Sequence, residues 1–265
     1  MNTQALDTNP LDIKGLNAQK LSDALKKPPQ QLGVTPLFGP IRPKFRLHLY
    51  DCVTSTNTVA WDLVNQGCPA GTVVIAQRQE AGRGQWGRPW QSPLGGLYLS
   101  LVLQPEVPVE RSSQLTLAAA WGLSTSFSNL GLPVQIKWPN DLVVQGRKLG
   151  GVLTETRVEG QQITTAVVGV GLNVTNPVPP TGISTAELRQ IDSSEALNPL
   201  VSLETVAAIA LYGLNQGYLY WQSQGAAALL AAYRANLANL GQIVVLDGHQ
   251  WQVEDVTESG RLRVK

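Results

Sequence analysis

Apolar and polar residues alternate in several short segments of the chain and recur at helical spacing in longer ones. Alternation or β-branched composition predicts strands over FRLHLY, GTVVIAQ, LYLSLVL and ITTAVVGVGLNVT. Helical spacing predicts helices over RSSQLTLAAAWGLSTSFSNLG and over STNTVAWDLVNQG, which starts at Ser55 or Thr56 and stops at Gly67. Two more helices are predicted over SLETVAAIALYGLNQGYLYWQ and GAAALLAAYRANLA.

The connections between the predicted strands indicate the class of fold. PNDLVVQGRKLGGVLTETR is predicted to be a hairpin that turns near Gly146, and VEGQQ supplies the next turn. Because hairpins join more of these strands than helices do, we expect an α+β fold with a mixed, mostly antiparallel sheet and helices on one side. Short strands follow Gly241. We therefore expect a flexible N-terminal tail over 1–44, in which LDIKGLNAQKLSDAL has the spacing of one amphipathic helix, a main domain over 45–238 and a small β domain over 239–265.

Composition narrows the possible functions. The chain has 265 residues, is 43% hydrophobic and carries a net charge of +1, which does not favour binding to nucleic acid through bulk charge. It has neither an apolar run of membrane-spanning length nor the layout of a signal peptide, so we expect a cytoplasmic protein. The cysteines, Cys52 and Cys68, and the histidines, His48 and His249, lack the spacing of a metal site or a catalytic triad. Chemistry would then rest on Arg, Lys, Asp, Asn and backbone amides.

The stretch AGRGQWGRPW contains the pattern G-x-G-x-x-G at Gly82, Gly84 and Gly87. A dinucleotide-binding turn requires a helix directly after this pattern, with the pyrophosphate at its N-terminus. Pro89 and Pro93 interrupt the residues where that helix would lie. A nucleic-acid-binding RGG segment would be repetitive and basic, whereas this motif occurs once between two predicted strands.

A loop that binds an anion is the remaining interpretation of this stretch. Successive backbone N–H groups released by glycine can form a concave site for phosphate. Arg83 and Arg88 would add charge-assisted hydrogen bonds, and Trp86 and Trp90 would cover an apolar or planar ligand. An ordinary surface hairpin loop is the alternative, but the concentration of arginine and tryptophan favours a binding function.

Lysine is scarce in the folded part of the chain, and its positions are informative. Between Phe45 and Val264 the only lysines are Lys137 and Lys148, both within IKWPNDLVVQGRKLGG. Biased composition would account for the scarcity but not for the shared location. An ammonium group donates to an oxyanion without a fixed bidentate geometry, so this hairpin is a second candidate for anion binding.

The segment VVGVGLNV is a third candidate part of the site. Gly169 and Gly171 lie two residues apart, so they face the same side of the predicted strand. Glycines inside a strand mark either a ligand lying against the backbone or tight packing of a helix on the sheet. Asn173 follows on the same strand as a possible polar lining.

Taken together, these motifs resemble those of biotin–protein ligases, the enzymes that activate biotin and attach it to a lysine of a carrier protein. The resemblance runs from Phe45 to the end of VVGVGLNVTN and is weaker beyond it. It rests on STN, GRGQWGRPW, KWPNDL, RKLGGVLTE and GVGLNV in this order and spacing. The resemblance implies the biotin/lipoate ligase catalytic fold, followed by a truncated SH3-like C-terminal domain.

The activity implied by the resemblance is that of a biotin–[acetyl-CoA-carboxylase] ligase in a monofunctional form without a DNA-binding domain. Its substrates would be biotin and ATP with Mg²⁺, and its protein partner would be the biotin carboxyl carrier protein. Biotinyl-5′-AMP would form first, and a carrier lysine would then attack it. The family also implies a possible homodimer paired through sheet edges.

The resemblance also implies two sets of binding residues. The set for biotin comprises Ser55, Thr56, Asn57, Gln79, Arg83, Gly84, Gln85 and Lys148. The set for the nucleotide comprises Gly82, Arg83, Trp90, Lys137, Asn140, Asp141 and Asn173. Catalytic roles fall on Arg83, Lys148, Lys137 and Asp141, and Asp141 would also lie near Mg²⁺.

The sequence departs from the family pattern in three places. The common loop reads Gly-Arg-Gly-Arg, but position 85 is Gln, which predicts weaker retention of the adenylate. The tail over 1–44 is too short for a winged helix, so DNA binding is not expected. The chain stops at Lys265, which leaves ATP contacts from the C-terminal domain open.

Two alternatives differ from the biotin ligase in substrate or in class. One is a lipoate ligase or a lipoyl/octanoyl transferase of the same fold, which would carry an Arg-Arg-Xaa-Ser-Gly-Gly run and lack the Trp-Pro-Asn-Asp turn. The other is a non-catalytic biotin-binding module, which would not require Lys148 or Asp141.

Overall fold

The computed structural model of the chain describes residues 16–37, 44–192, 202–246 and 248–265, together with Leu197 and Leu200. Its helices are α1 (Ala18–Lys26), α2 (Thr56–Asn65), α3 (Ser112–Ser128), α4 (Thr185–Ile191) and α5 (Leu203–Ala235). Its strands are β1 (Arg46–Val53), β2 (Thr72–Gln79), β3 (Leu97–Leu103), β4 (Val107–Pro108), β5 (Gln135–Lys137), β6 (Asp141–Val144), β7 (Arg147–Glu159), β8 (Gln162–Leu172), β9 (Ile243–Leu246), β10 (His249–Val256) and β11 (Leu262–Val264). None of the helices in these ranges combines the length and the apolar composition that a membrane crossing requires.

The main sheet is mixed and mostly antiparallel, as the sequence predicts. It has eight strands in the order β1-β2-β3-β8-β7-β6-β5, and β4 pairs with β8. Only β1 and β2 run parallel, because α2 connects them, while the pairs from β2 onward are antiparallel. The predicted fold class is therefore confirmed.

The strands separate two layers of helices. On β2, Val73 and Ile75 belong to the core that includes α3 and α5, whereas Val74 packs with Ala60 of α2. Because successive residues of a strand face opposite sides, α2 covers the face opposite to α3 and α5. The long helices thus lie on one side, as expected, and the short helix α2 adds a partial cover to the other. The rest of that second face carries the candidate site.

The predicted helix pair near the C-terminus is observed as one element with an interruption. α5 extends over 33 residues, and Gly225 inside it has a φ of 80°, outside the helical region. Glycine adopts this conformation without steric cost, so the two predicted helices meet there.

The N-terminal segment over 16–37 is packed against the main domain, which differs from the predicted flexible tail. Leu21 is fully buried at 0% exposure and Leu32 at 3%. The Tyr212 hydroxyl of α5 donates to the carbonyl oxygen of Leu25 at 2.9 Å, and the backbone N–H of Leu37 donates to Gln216 at 2.8 Å. The amphipathic helix predicted here finds its apolar partner in α5, so it is part of the core. Residues 1–15 and 38–43 lie outside the described residues, and the tail remains a prediction for them.

The predicted small C-terminal sheet is present. It has three antiparallel strands in the order β11-β10-β9. The turn before β11 contacts the start of α3, where the Ser113 hydroxyl donates to the carbonyl of Ser259 at 2.8 Å and the Gln114 amide donates to that of Glu258 at 3.1 Å. The next residue of this turn, Gly260, accepts from the indole N–H of Trp138, so the C-terminal sheet also lies close to the hairpin of β5 and β6.

Candidate active site

The two strand glycines, Gly169 and Gly171, leave room for side chains on the face of the sheet that α2 partly covers. A Cβ at Gly169 would lie 2.3 Å from Oδ1 of Asn57, and a Cβ at Gly171 would lie 2.5 Å from Nε1 of Trp90. Real Cβ atoms do not approach other atoms this closely. Gly169 therefore accommodates the start of α2, and Gly171 accommodates the end of the stretch AGRGQWGRPW over 81–90, hereafter the Gly/Arg loop. Side chains of the protein itself occupy the space over both glycines, so these contacts support the close-packing interpretation of this strand.

The start of α2 is joined to the end of β2 by hydrogen bonds. Ser55 is the N-cap of α2. The Gln79 side-chain oxygen accepts from the Thr56 backbone N–H at 2.8 Å and from the Thr56 hydroxyl at 3.2 Å. The Gln79 amide in turn donates to the Ser92 hydroxyl at 2.8 Å. Thr56 and Gln79, two of the residues predicted to bind biotin, thus share one hydrogen-bonded network, and Ser55 precedes them at the N-cap with 3% exposure.

Asn57 faces into the protein rather than outward. Its Oδ1 accepts from the Ser100 hydroxyl at 2.6 Å, and its Nδ2 donates to Oε2 of Glu155 at 2.8 Å. The residue is only 3% exposed. The Trp61 indole N–H donates to the same Glu155 oxygen at 3.1 Å. Asn57 and Trp61 therefore fix the position of the Glu155 carboxylate.

Arg83 extends from the Gly/Arg loop toward the same carboxylate. Its Nη2 lies 3.1 Å from Oε1 of Glu155, and the arginine side chain is 46% exposed. Sequence reasoning did not single out Glu155. The signal that would have found it is its position on β7, where Gly151, Leu153 and Glu155 face one side of the sheet opposite Gly171, Gly169 and Val167.

The Gly/Arg loop is compact and is not followed by a helix. The Trp90 N–H donates to the Gly82 carbonyl at 2.8 Å, and the Gly84 N–H donates to that of Arg88 at 2.7 Å. The next long element is a strand, so the loop is not a dinucleotide-binding turn. Among the described residues, Gln85 Oε1 and Trp90 Nε1 are buried without a hydrogen-bond partner.

Trp86 forms the tip of this loop. Its φ is 55°, a left-handed conformation that is uncommon for an aromatic residue, and it is 70% exposed. The Arg88 guanidinium lies 5.6 Å from the centroid of its ring. Beside the loop is a groove of about 550 Å³ whose lining includes Gln79, Gly82 and Trp90. The groove borders the loop on the side of Gln79, and its lining does not include Arg83 or Lys148.

Lys148 is held by four partners, two at its side chain and two at its backbone. Its Nζ lies 2.6 Å from Oδ1 of Asp141 and 5.2 Å from the centroid of the Trp90 ring. Its backbone N–H donates to the Thr181 carbonyl at 2.9 Å, and its carbonyl accepts from the Asn173 side chain at 3.1 Å. The hairpin IKWPNDLVVQGRKLGG over 136–151, hereafter the Lys/Asp hairpin, and the Gly/Arg loop were predicted separately as anion-binding segments, and they meet at Lys148 and Trp90.

The other residues of the hairpin face different surroundings. Asn140 is 8% exposed, and its Nδ2 donates to the Val152 carbonyl, so it holds the turn together. Lys137 is exposed at the end of β5, where its backbone pairs with that of Asp141. Residues that are directly opposite in a sheet share a face, so Lys137 and Asp141 point to the same side.

Hydrogen bonds from the turn to the C-terminal sheet and from α5 to the turn also hold the Trp-Pro-Asn-Asp turn in place. The Trp138 indole N–H donates to the Gly260 carbonyl at 2.9 Å, and the Tyr233 hydroxyl donates to the Pro139 carbonyl at 2.9 Å. The peptide bond between Trp138 and Pro139 is cis. Burial raises the pKa of Tyr233, and the Asp141 carboxylate raises it further, so Tyr233 donates as a neutral phenol. The C-terminal sheet and α5 thus position the turn that carries Asp141.

A metal ion at this site would depend on few protein ligands. Within the part of the chain that the structure describes, no three His, Cys, Asp or Glu side chains cluster as a metal centre. Mg²⁺ is often held by one or two carboxylates together with substrate phosphates. Asp141 fits that donor set. Its side chain is 26% exposed, and the ion pair with Lys148 uses Oδ1, which leaves Oδ2 as the ligand atom for a metal ion.

The fold and site together define a class of protein: an α+β domain whose sheet carries, on one face, a glycine-lined site with an arginine and a lysine. A sequence model of the biotin/lipoate A/B protein ligase family matches residues 49–173. The biotin–[acetyl-CoA-carboxylase] ligase of Mycobacterium tuberculosis is 32% identical over 80% of this chain and 81% of that protein. The corresponding ligase of Paracoccus denitrificans is 30% identical over 72% of this chain and 80% of that protein. The chain therefore belongs to this family and, within it, to the biotin protein ligases.

Two further comparisons describe the extent of the similarity. The bifunctional ligase/repressor BirA of Bacillus subtilis is 39% identical over 47% of this chain, but the match spans only 39% of that protein. A biotin protein ligase from Aquifex aeolicus, solved with biotin and ATP, has the same fold, with a TM-score of 0.63 and 24% identity over 83% of this chain and 91% of that one.

Proposed function

We propose that the protein is an ATP-dependent ligase that activates biotin as biotinyl-5′-AMP and transfers it to one lysine of the biotin carboxyl carrier protein of acetyl-CoA carboxylase. The observation that carries the proposal is the position of Lys148, whose ammonium lies 2.6 Å from the Asp141 carboxylate and 5.2 Å from the Trp90 ring centroid. The Lys148 ammonium, between a carboxylate and an aromatic ring, is suited to donate to oxygens of the biotin carboxylate and of the ATP α-phosphate where these two groups are joined. The two relatives aligned over most of their length are named for this activity.

The reaction requires no enzyme nucleophile. The biotin carboxylate attacks the α-phosphorus of ATP, a carbon–oxygen–phosphorus linkage forms and pyrophosphate leaves. The amine of the carrier lysine then attacks the acyl carbon, an amide forms and AMP leaves. Catalysis therefore consists of alignment and stabilisation of negative charge. The site suits this chemistry because it brings the cations of Arg83 and Lys148 together with the carboxylates of Glu155 and Asp141 and contains no nucleophilic serine or cysteine among these residues.

In this proposal Arg83 and Lys148 donate to the oxygens that gain negative charge. Lys137 binds phosphate from the exposed end of β5, on the face that Asp141 shares. Asp141 would hold Mg²⁺, which supplies further neutralisation of the phosphates when bound. The backbone amides of the loop from Gly82 to Gln85 would surround the same oxygens.

The biotin head would bind at the start of α2. Gln79 uses one amide hydrogen toward Ser92, and a primary amide has two. The remaining N–H and the Ser55 hydroxyl are suited to the polar head, and the Trp90 ring is suited to the apolar part. Thr56 orients Gln79 through its own two hydrogen bonds.

Biotin-dependent exchange of pyrophosphate into ATP tests the first step, and transfer of labelled biotin to a carrier domain tests the second. Arg83→Ala and Lys148→Ala should each reduce adenylate formation by at least about 100-fold, since charge-stabilising donors contribute on that scale. Arg46→Ala is a matched control. Arg46 is an exposed arginine at the start of β1, whereas the end of that strand lies next to the Gly/Arg loop. Near-normal single-turnover rates in the Arg83 and Lys148 variants would count against the proposal.

The same exchange assay separates the alternatives. Exchange that depends on lipoate or octanoate would identify the related lipoate activity, and no exchange with any acid would indicate a non-catalytic binding module. We also propose a cytoplasmic location and a possible homodimer, and we expect no retardation of duplex DNA on a gel.

A further inference from the structure

We propose that Glu155 is a positioning residue that orients Arg83 for the adenylation step. The inference rests on the proposed function in one respect, since it assigns the substrate anion to Arg83. The pairing itself is independent of the activity: Oε1 and Oε2 of Glu155 lie 3.1 Å and 3.3 Å from Nη2 of Arg83.

The contact uses only one of the three guanidinium nitrogens. Both Glu155 oxygens approach Nη2. Within the described parts of the chain, Nε and Nη1 of Arg83 have no hydrogen-bond partner. Both bidentate edges of a guanidinium include Nη2, but Nε and Nη1 still carry three N–H hydrogens, each of which can donate singly to a carboxylate or phosphate oxygen. Glu155 and a substrate anion can therefore bind Arg83 together, and Glu155 acts as an orienting partner rather than a competitor.

Glu155 can orient Arg83 because it is itself held in place. Asn57 and Trp61, one turn apart on α2, both donate to Oε2, at 2.8 Å and 3.1 Å. Asn57 is fixed by the buried Ser100 hydroxyl and lies over Gly169. The chain of contacts runs from the sheet through α2 to a carboxylate and ends on the arginine of the Gly/Arg loop.

This arrangement gives the third residue of the STN motif a different role from the predicted one. Both polar atoms of the Asn57 side chain have partners within the protein, and the residue is buried. We assign Asn57 to the support of Glu155. Ser55 and Gln79 remain the proposed contacts of the biotin head, and Thr56 supports Gln79 through its two hydrogen bonds.

The first test measures the freedom of Arg83 without reference to activity. Trypsin requires a free arginine side chain, and it does not cut the Arg88–Pro89 bond, so Arg83–Gly84 is the bond of this loop that reports on the ion pair. Glu155→Gln keeps an oxygen for Asn57 and Trp61 but removes the charge that holds Arg83. Glu159→Gln, on the exposed end of the same strand, is the matched control.

We expect Glu155→Gln to increase the initial rate of cleavage at Arg83–Gly84 several-fold over the unchanged protein and over Glu159→Gln, with the same thermal midpoint for all three. Equal cleavage rates would overturn the proposal. If Glu155→Gln does not fold, Glu155→Asp replaces it, because its carboxylate is one methylene shorter and cannot reach Arg83 from the same backbone position. The same outcomes then apply.

The second test is a double-mutant cycle on adenylate formation with biotin and ATP. Glu155→Gln should lower kcat about 10-fold with a smaller change in KM, because a misaligned catalytic group slows the chemical step. In an Arg83→Met background the same change should cost less than about twofold, since Glu155 acts through Arg83. Equal effects in both backgrounds would overturn the proposal. If the unchanged protein catalyses no exchange, the proposed function fails, while the cleavage test still decides the ion pair.

Discussion

The substitution Gly171→Ala tests the close approach between β8 and the Gly/Arg loop. The added Cβ would lie 2.5 Å from Nε1 and 2.6 Å from Cε2 of Trp90, whereas ordinary contacts begin at 3.4 Å. The indole ring would have to move by roughly 1 Å to restore van der Waals contact. The φ of Gly171 is not positive, so backbone strain does not contribute.

Two opposing effects set the size of the expected change. Overpacking in a closely packed region costs about 1–3 kcal/mol. Replacing a glycine inside a strand with alanine recovers about 0.5–1 kcal/mol, because the unfolded chain loses freedom. We therefore expect Gly171→Ala to lower the free energy of unfolding by about 0.5–2 kcal/mol.

Gly151→Ala is the matched control, because Gly151 pairs directly with Gly171 on the neighbouring strand. Its added Cβ would meet Oδ1 of Asp141 at 3.4 Å and Cε of Lys148 at 3.6 Å, which are ordinary contacts. Only the favourable backbone effect remains, so the free energy of unfolding should be unchanged or higher by up to about 1 kcal/mol.

Urea denaturation followed by circular dichroism measures both variants on the same scale. Trp90→Phe removes the Nε1 atom that the new methyl group would meet, so the double variant Gly171→Ala/Trp90→Phe should lose less stability than the two single changes predict together. If Gly171→Ala is as stable as Gly151→Ala, or if the double variant shows additive losses, Trp90 does not pack on Gly171 as described.

Three further changes test other parts of the molecule. Leu21→Ala should lower the free energy of unfolding by about 2–4 kcal/mol, because removing a fully buried leucine side chain leaves a cavity. Lys20→Ala, at an exposed neighbouring position, should have little effect in the same thermal or urea denaturation. Equal effects of the two changes would mean that the N-terminal segment is not packed against the main domain. Trp138→Phe removes the donor to Gly260, so it should cost about 1 kcal/mol of stability and raise KM for ATP in the exchange assay more than KM for biotin; an equal rise in both would argue against this anchor of the turn. Gln85→Arg should slow release of the adenylate in a chase experiment, and an unchanged release rate would show that this charge is not needed.

Most elements of the fold were predictable from local patterns. The strands β2, β3 and β8 and the helices α2 and α3 lie where hydrophobic spacing predicted them, and the interruption at Gly225 falls at the boundary between the two helices predicted there. These features depend on neighbouring residues, because side-chain periodicity and backbone freedom are local properties. The short elements α4 and β4 were not predicted, since each has too few residues to show a period.

The position of the N-terminal segment depended on a distant partner. Its helix was predictable from amphipathic spacing, but its burial comes from α5, which is distant in the chain: Tyr212 and Leu25 are 187 positions apart. Composition rich in proline and glutamine indicated a flexible tail, and the apolar face of α5 made residues 16–37 part of the core instead.

The sequence by itself determined the elements, the mostly antiparallel sheet, the motifs and the family resemblance. Only the tertiary structure showed that Asn57 faces inward, that Glu155 pairs with Arg83 across 72 positions, and that Lys148 reaches Trp90. The physical reason is the register of β8, which pairs Gly169 with Ser100 of β3 on one side and with Leu153 of β7 on the other. That pairing brings separate motifs to one face of the sheet, and no local pattern in the chain specifies it.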